Sequence, residues 1–233
     1  MPASIPHVKV CGLTRVEDAE LAHELGAWAL GMVFADGSPR RCSREQARAI
    51  SARLRRKAKL CGVFVNESLE EVVSASDELG LALLQLHGDE GPAYCAEVAR
   101  RSGARVIKAA QVSGAGDIRA LGRFHVDYHL LDARSRSPRA RAQRGGTGET
   151  FDWDLLRVRR SSTPLILSGG LEPGNVAGAI AAATPYAVDT ASGTEAAPGR
   201  KDADKLSAFF DAVRGAAPRA GDPSEPEIVA PRA

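Results

Sequence analysis

Little in this sequence points to a metal site, a disulfide framework, a membrane or a nucleic acid. Its 233 residues include only 4 cysteines, Cys11, Cys42, Cys61 and Cys95, and no two form a C-x-x-C pair. That spacing offers neither a zinc knuckle nor a set of staples. No apolar run reaches bilayer-spanning length, and residues 1–6 lack the charged and apolar regions of a signal peptide. Aromatics are 5% and the formal net charge is +2. With the arginines scattered, neither base stacking nor a basic footprint is provided for. A Gly-rich dinucleotide fingerprint is missing too, since Cys11-Gly12-Leu13-Thr14 is not G-x-G-x-x-G. These absences leave a protein of the reducing cytoplasm, where free thiols persist.

What is present is alternation. Short apolar runs read as strands at Val8–Cys11, Trp28–Phe34, Leu60–Val65, Ala82–Leu86, Val106–Ala109, Tyr128–Asp132, Leu165–Ser168 and Tyr186–Thr190. Helical patterns follow near 15–26, 43–57, 68–80, 90–102, 114–124, 153–158, 173–182 and 202–214. Strands alternating with helices imply parallel neighbours joined by crossovers, and Val, Leu and Ile suit strands covered on both faces. Thr14, Ser43 and Ser68 with Glu71 read as helix starts. Gly26, Gly80 and Gly103 read as helix ends, and Pro173 as the first turn of the seventh helix. Eight units predict an α/β fold, a single (βα)8 TIM barrel over residues 7–214; an open doubly wound sheet is the alternative on pattern alone. Residues 134–150 read as a mobile basic loop with a lid role, and 215–233 as a disordered C-terminal tail.

In such a barrel the chemistry stands at the C-terminal strand ends. Those ends are Cys11, Phe34, Asn66, His87, Lys108, Asp132, Ser168 and Ser192. Strand alternation puts Lys9 below an inward Cys11 and Leu130 below an inward Asp132, with His129 facing the helices. An interior Lys9 needs a counter-charge, and Asp189 on the neighbouring eighth strand is available. Ser168-Gly169-Gly170-Leu171 and Ala191-Ser192-Gly193 read as paired phosphate turns, because glycines let backbone N–H groups approach an anion. On spacing alone Cys11 reads equally well as a small buried hydrophobe, and Arg40 as a solvated loop arginine. His87 is the lone strand-end histidine, so no metal is expected.

In order along the chain, several segments are recognisable. They are Lys9-Val10-Cys11-Gly12-Leu13-Thr14, Gly31-Met32-Val33-Phe34 with Ser38-Pro39-Arg40, Gly62-Val63-Phe64-Val65-Asn66, and Gln85-Leu86-His87-Gly88-Asp89-Glu90. Leu130-Leu131-Asp132, Gly145-Gly146-Thr147-Gly148, Ser168-Gly169-Gly170-Leu171 and Ser192-Gly193 with Pro198-Gly199-Arg200-Lys201-Asp202 follow. Together, over residues 8 to about 211, this set resembles the phosphoribosylanthranilate isomerase family. Ala191 departs from it where Ser is expected; backbone N–H groups carry most of an anion turn, so little depends on that.

The resemblance implies an Amadori rearrangement in tryptophan biosynthesis, without metal or cofactor. It implies Cys11 as general base and Asp132 as general acid, and Arg40 against the anthranilate carboxylate. Gly146, Gly169, Gly170, Asp189, Ser192 and Gly193 complete the expected binding set. A basic Cys11 calls for a pKa lowered toward neutrality, and an acidic Asp132 for one raised. The expected partner is a small phosphosugar, with no nucleic acid or membrane, in a monomer or homodimer. The dual-substrate isomerase of histidine synthesis resembles the chain but has an aspartate in place of Cys11. Indole-glycerol-phosphate synthase needs lysine and glutamate elsewhere, and ribulose-phosphate epimerases use paired aspartates and a metal. A non-catalytic phosphosugar-binding barrel tends to lose Cys11 or Asp132, and both are present.

Overall fold

A computed structural model describes residues 5–133 and 153–216. Eight parallel strands close into a barrel in chain order. They are β1 (His7–Val10), β2 (Ala29–Val33), β3 (Lys59–Phe64), β4 (Leu83–Leu86), β5 (Arg105–Val112), β6 (Tyr128–Ala133), β7 (Leu165–Leu167) and β8 (Ala187–Thr190). Outside lie α1 (Val16–Glu24), α2 (Arg44–Leu54), α3 (Leu69–Leu79), α4 (Pro92–Ser102), α5 (Ala115–Ala120), α6 (Val176–Ala183) and α7 (Ala203–Gly215). A hairpin of β9 (Glu195–Ala197) and β10 (Arg200–Lys201) precedes α7. The open sheet is thereby excluded: β1 pairs with β8, Lys9 opposite Asp189.

The strands match the sequence pattern closely except β5, which continues past Ala109. Its extra residues pair with β6, Ala110 with Leu131 and Gln111 with Asp132, so tertiary pairing extends a strand that the apolar pattern ends. The expected helix at 153–158 is a 3-10 turn, Trp153–Val158. Residues 134–152 and 217–233, which carry the expected lid and the expected tail, lie outside the described residues.

Helix starts show how local chemistry sets the frame. Ser43 accepts from the Gln46 N–H while the Gln46 side chain accepts from the Ser43 N–H, a complete capping box. Ser68 makes only half of its expected box: it accepts from the Glu71 N–H, but Glu67 takes the Ser68 N–H. Thr14 caps nothing; Arg15 holds the cap position, and the Thr14 hydroxyl donates to the Gly199 carbonyl at 2.6 Å. Pro173 lies ahead of α6, whose cap position is Asn175. Gly80 and Gly103 do end α3 and α4 with positive φ.

The buried residues fall into two layers. One lies between strands and helices; the other fills the barrel, with Cys61, Leu83, Ile107, Leu130 and Ile166 among its members. Trp28, Tyr128 and Tyr186 pack edge-on or tilted and close the barrel's N-terminal end. The functional face is therefore the opposite, C-terminal end.

His129 faces the outer layer, its Nε2 3.3 Å from the Phe124 carbonyl. Burial lowers its pKa below the ordinary 6.5. The unfolded chain thus takes up the proton first. This contribution to stability is complete above about pH 6.5 and is lost as pH falls toward the folded-state value. His129→Gln should flatten the decline of Tm over that acid range; an unchanged slope in thermal melts contradicts this.

Candidate active site

A cavity of about 190 Å3 opens at the C-terminal strand ends, and Cys11, Arg40, His87, Asp132, Ser168 and Asp189 all line it. Cys11 follows β1, with its sulfur against β2. A Cβ on Gly31 would stand 2.9 Å from Cys11 Sγ, so glycine at that position of β2 makes room for the thiol. Beneath lies Lys9, fully buried, with Nζ 2.7 Å from Asp189 Oδ1. The expected interior pair is present. Burial opposes the Lys9 charge, but Asp189, with Cys11 and Cys61, outweighs it and holds the ammonium's pKa above the usual lysine value.

The thiol itself differs from the sequence expectation. Burial pushes the Cys11 pKa up, with Asp189 adding to the rise, and Lys9 and Lys201 only partly offset it. The balance holds the Cys11 pKa above, not below, its ordinary value. Desolvation dominates this site.

Across the mouth, three strands around through β8 and β7, Asp132 lies one residue before the end of β6 and is buried. His87 Nε2 lies 3.4 Å from Asp132 Oδ2, and His87 Nδ1 lies 2.8 Å from Gln85 Nε2. The two ring nitrogens of His87 thus lie one against the Gln85 amide and one beside the Asp132 carboxyl. The sequence reading valued His87 only as a failed metal ligand. The alternation that turned Asp132 inward does the same for Gln85 and His87, and was the signal available.

Gly169 and Gly170 both adopt positive φ, 94° and 61°. Gly193, in the next turn, comes so close to the first that a Cβ there would lie 2.1 Å from the Leu171 carbonyl oxygen. The Thr190 hydroxyl donates to that same carbonyl at 3.1 Å, and Ser168 Oγ donates to Asp189 Oδ2 at 3.1 Å. Ser192 lies in the short 3-10 turn Ser192–Thr194. The two expected anion turns are thus adjacent and held together at the mouth.

Arg40 is not a solvated loop arginine. Its Nε and Nη2 donate to Glu195, with distances of 2.8–3.0 Å, and the two side chains are only 12% and 4% exposed. Gly12, at φ 78°, permits this route: a Cβ there would meet Arg40 Cδ at 2.8 Å. Lys201 Nζ donates to the Ala191 carbonyl at 2.8 Å and lies 3.5 Å from Glu195 Oε1. Glu195 and Lys201 belong to the hairpin after β8, and nothing in strand alternation singles out Glu195.

Three strand-end residues do not join the site. Phe34 stacks on Phe64 in the outer layer. Lys108 turns outward to Glu90, 2.7 Å away. Asn66 closes a loop contact with Asp89 and Glu90. Alternation explains all three, because Val33, Val65 and Ala109 take the inward places beside them. Gly146 lies outside the described residues. Among those described, no cluster of His, Cys, Asp or Glu is arranged for a metal ion, and no helix is long and apolar enough to cross a membrane.

The family model for N-(5'phosphoribosyl)anthranilate (PRA) isomerase matches residues 8–212. The chain belongs to this isomerase family. A relative from Citrifermentans bemidjiense named N-(5'-phosphoribosyl)anthranilate isomerase is 47% identical over 199 residues, 85% of this chain and 92% of that one. The crystal structure of phosphoribosyl anthranilate isomerase from Thermus thermophilus superposes with a TM-score of 0.80 at 38% identity, covering 90% and 98% of the two chains. Another phosphoribosyl anthranilate isomerase, 39% identical with a TM-score of 0.75 over 90% and 99% of the chains, was solved with reduced 1-(o-carboxyphenylamino)-1-deoxyribulose 5-phosphate.

Proposed function

We propose that this mouth converts N-(5-phosphoribosyl)anthranilate to 1-(2-carboxyphenylamino)-1-deoxyribulose 5-phosphate, the third step of tryptophan biosynthesis from chorismate. The observation that carries the reading is the convergence of Cys11, Asp132, Ser168 and Ala191 on one cavity, with the Gly169–Gly170 and Ser192–Gly193 turns following directly in the chain from the last two.

Asp132 gives its proton to the furanose ring oxygen. The bond from that oxygen to the amino-bearing carbon breaks, its electron pair stays on oxygen, and the nitrogen lone pair forms an iminium. His87 Nε2, 3.4 Å from Asp132 Oδ2, stands beside the carboxyl and helps hold it in place. Cys11, as thiolate, removes the proton from the adjacent sugar carbon, giving an enolamine. Its hydroxyl proton returns to the Asp132 carboxylate as the Cys11 thiol protonates the former iminium carbon, and the ketone results with both groups reset. No oxidant or reductant enters. Thiolate formation in the buried site draws on Lys9, Lys201 and the positive charge of the iminium itself.

The N–H groups around Gly169, Gly170, Ser192 and Gly193 hold the phosphate, Asp189 orders Lys9 and Ser168 at its edge, and Arg40 meets the anthranilate carboxylate. Gly170→Val should raise KM sharply, since positive φ and close anion approach both exclude a branched side chain. Wild-type KM in steady-state assays contradicts a phosphate site there. A monomer or a homodimer serves equally, since every residue named belongs to one chain. Four free, buried thiols suit the reducing cytoplasm.

The test is conversion of the phosphoribosylanthranilate by purified protein, followed by its fluorescence, with and without EDTA. Conversion unaffected by EDTA is expected. No conversion, or loss with the chelator, contradicts the reading.

A further inference from the structure

The hairpin after β8 sits outside the proposed chemistry, yet it grips the one cation proposed to recognise the aromatic half of the substrate. We infer that Glu195 is a positioning residue that fixes the Arg40 guanidinium for a carboxylate and so sets the selectivity of the mouth for an anthranilate-type ring. This rests on the reading of Arg40 given above.

The geometry is specific. Arg40 rises from the loop between β2 and α2, on a side chain with four rotatable bonds. Left alone it would lose much rotamer freedom on meeting a ligand. Glu195 removes that freedom in advance. Its two oxygens take the Nε–Nη2 edge at 2.8–3.0 Å, which fixes the guanidinium plane and leaves Nη1 outside the pair. Such two-point contacts carry orientation as well as attraction.

Glu195 is itself held. The Gly199 N–H donates to Oε1 at 3.3 Å, and Lys201 Nζ is 3.5 Å from the same oxygen. Lys201 also donates to the Ala191 carbonyl, directly before the Ser192–Gly193 turn. One short hairpin therefore links the anion turn to Arg40. The charges fit as well: Arg40, Lys201 and Glu195 are two cations and one carboxylate, which leaves one positive charge for an incoming anion.

The test compares two non-reacting ligands: reduced 1-(o-carboxyphenylamino)-1-deoxyribulose 5-phosphate and the same compound without the ring carboxylate. Wild-type protein should bind the carboxylated ligand far more tightly. Arg40→Ala should erase that preference. Glu195→Gln, nearly isosteric, should reduce it by roughly tenfold, the scale on which losing an orienting partner weakens metal ligands. KM for the substrate should rise by more than kcat falls. Adding Glu195→Gln to Arg40→Ala should then change neither ligand's affinity further.

A purely structural Glu195 would weaken both ligands equally and would still do so in the Arg40→Ala background. That result overturns the inference and leaves Arg40 standing. A preference that survives Arg40→Ala overturns both readings. Should Glu195→Gln fold poorly by thermal melt, Glu195→Asp keeps the charge at a shorter reach. It should retain part of the preference, whereas an unchanged preference with equal weakening of both ligands counts against the inference.

Discussion

Cys11→Ala should cost turnover by roughly 10²–10⁴-fold while binding of the reduced product analogue stays nearly intact, because a proton-transfer group acts on the transition state far more than on the bound ground state. Asp132→Asn should behave alike. The double variant should lose less than the product of the two effects, since both residues serve one sequence of steps. The thiol's raised pKa adds a second expectation. Iodoacetamide should modify Cys11 slowly near neutral pH and faster as pH rises, and the bound analogue should protect it. Near-wild-type turnover by Cys11→Ala makes the thiol packing only, and the base then lies elsewhere.

Lys9→Met should destabilise the fold by about 3–5 kcal/mol, the usual result of stripping one partner from a buried ion pair. Lys9 is fully buried and Asp189 nearly so, 2.7 Å apart, so the abandoned carboxylate would lose its one cation and keep the Ser168 hydroxyl. Adding Asp189→Leu should recover much of the loss, because an apolar pair carries no unpaired charge. Denaturant melts of the single and double variants measure this. Additive losses would show that the pair is not the source. The same substitution removes one of the two cations that offset burial of Cys11, so the single variant should also slow thiol alkylation.

The barrel was legible because its signal is periodic. Eight apolar runs at strand length, separated by helical patterns, leave few topologies once parallel crossovers are required. The Lys9–Asp189 pair followed from alternation plus barrel closure, two rules that need no coordinates. Cys11, Asp132 and the glycine turns stood at places where the fold exposes chemistry.

What sequence did not yield depends on three-dimensional proximity. Lys108 and Asn66 occupy strand ends as Cys11 does, yet one residue of register turns them away from the mouth. Glu195 sits beyond the last barrel strand, 155 positions from Arg40 in sequence, and no local rule pairs them. The direction of the Cys11 pKa depends on how burial compares with two cations and a carboxylate, a balance that spacing does not contain. The glycines show the same division. Gly169 and Gly170 announce a turn, whereas Gly12 and Gly31 look dispensable until their neighbours, Arg40 and the Cys11 sulfur, are seen.

The central claim is that Cys11 and Asp132 address one sugar from opposite sides while the adjacent glycine turns hold its phosphate. A crystal structure of this protein with reduced 1-(o-carboxyphenylamino)-1-deoxyribulose 5-phosphate tests it most directly. The account predicts the phosphate between the Gly169–Gly170 and Ser192–Gly193 turns and the ring carboxylate on Arg40, with the sugar chain between Cys11 Sγ and the Asp132 carboxylate. A phosphate bound elsewhere, or a sugar chain within reach of only one of those two groups, would contradict it.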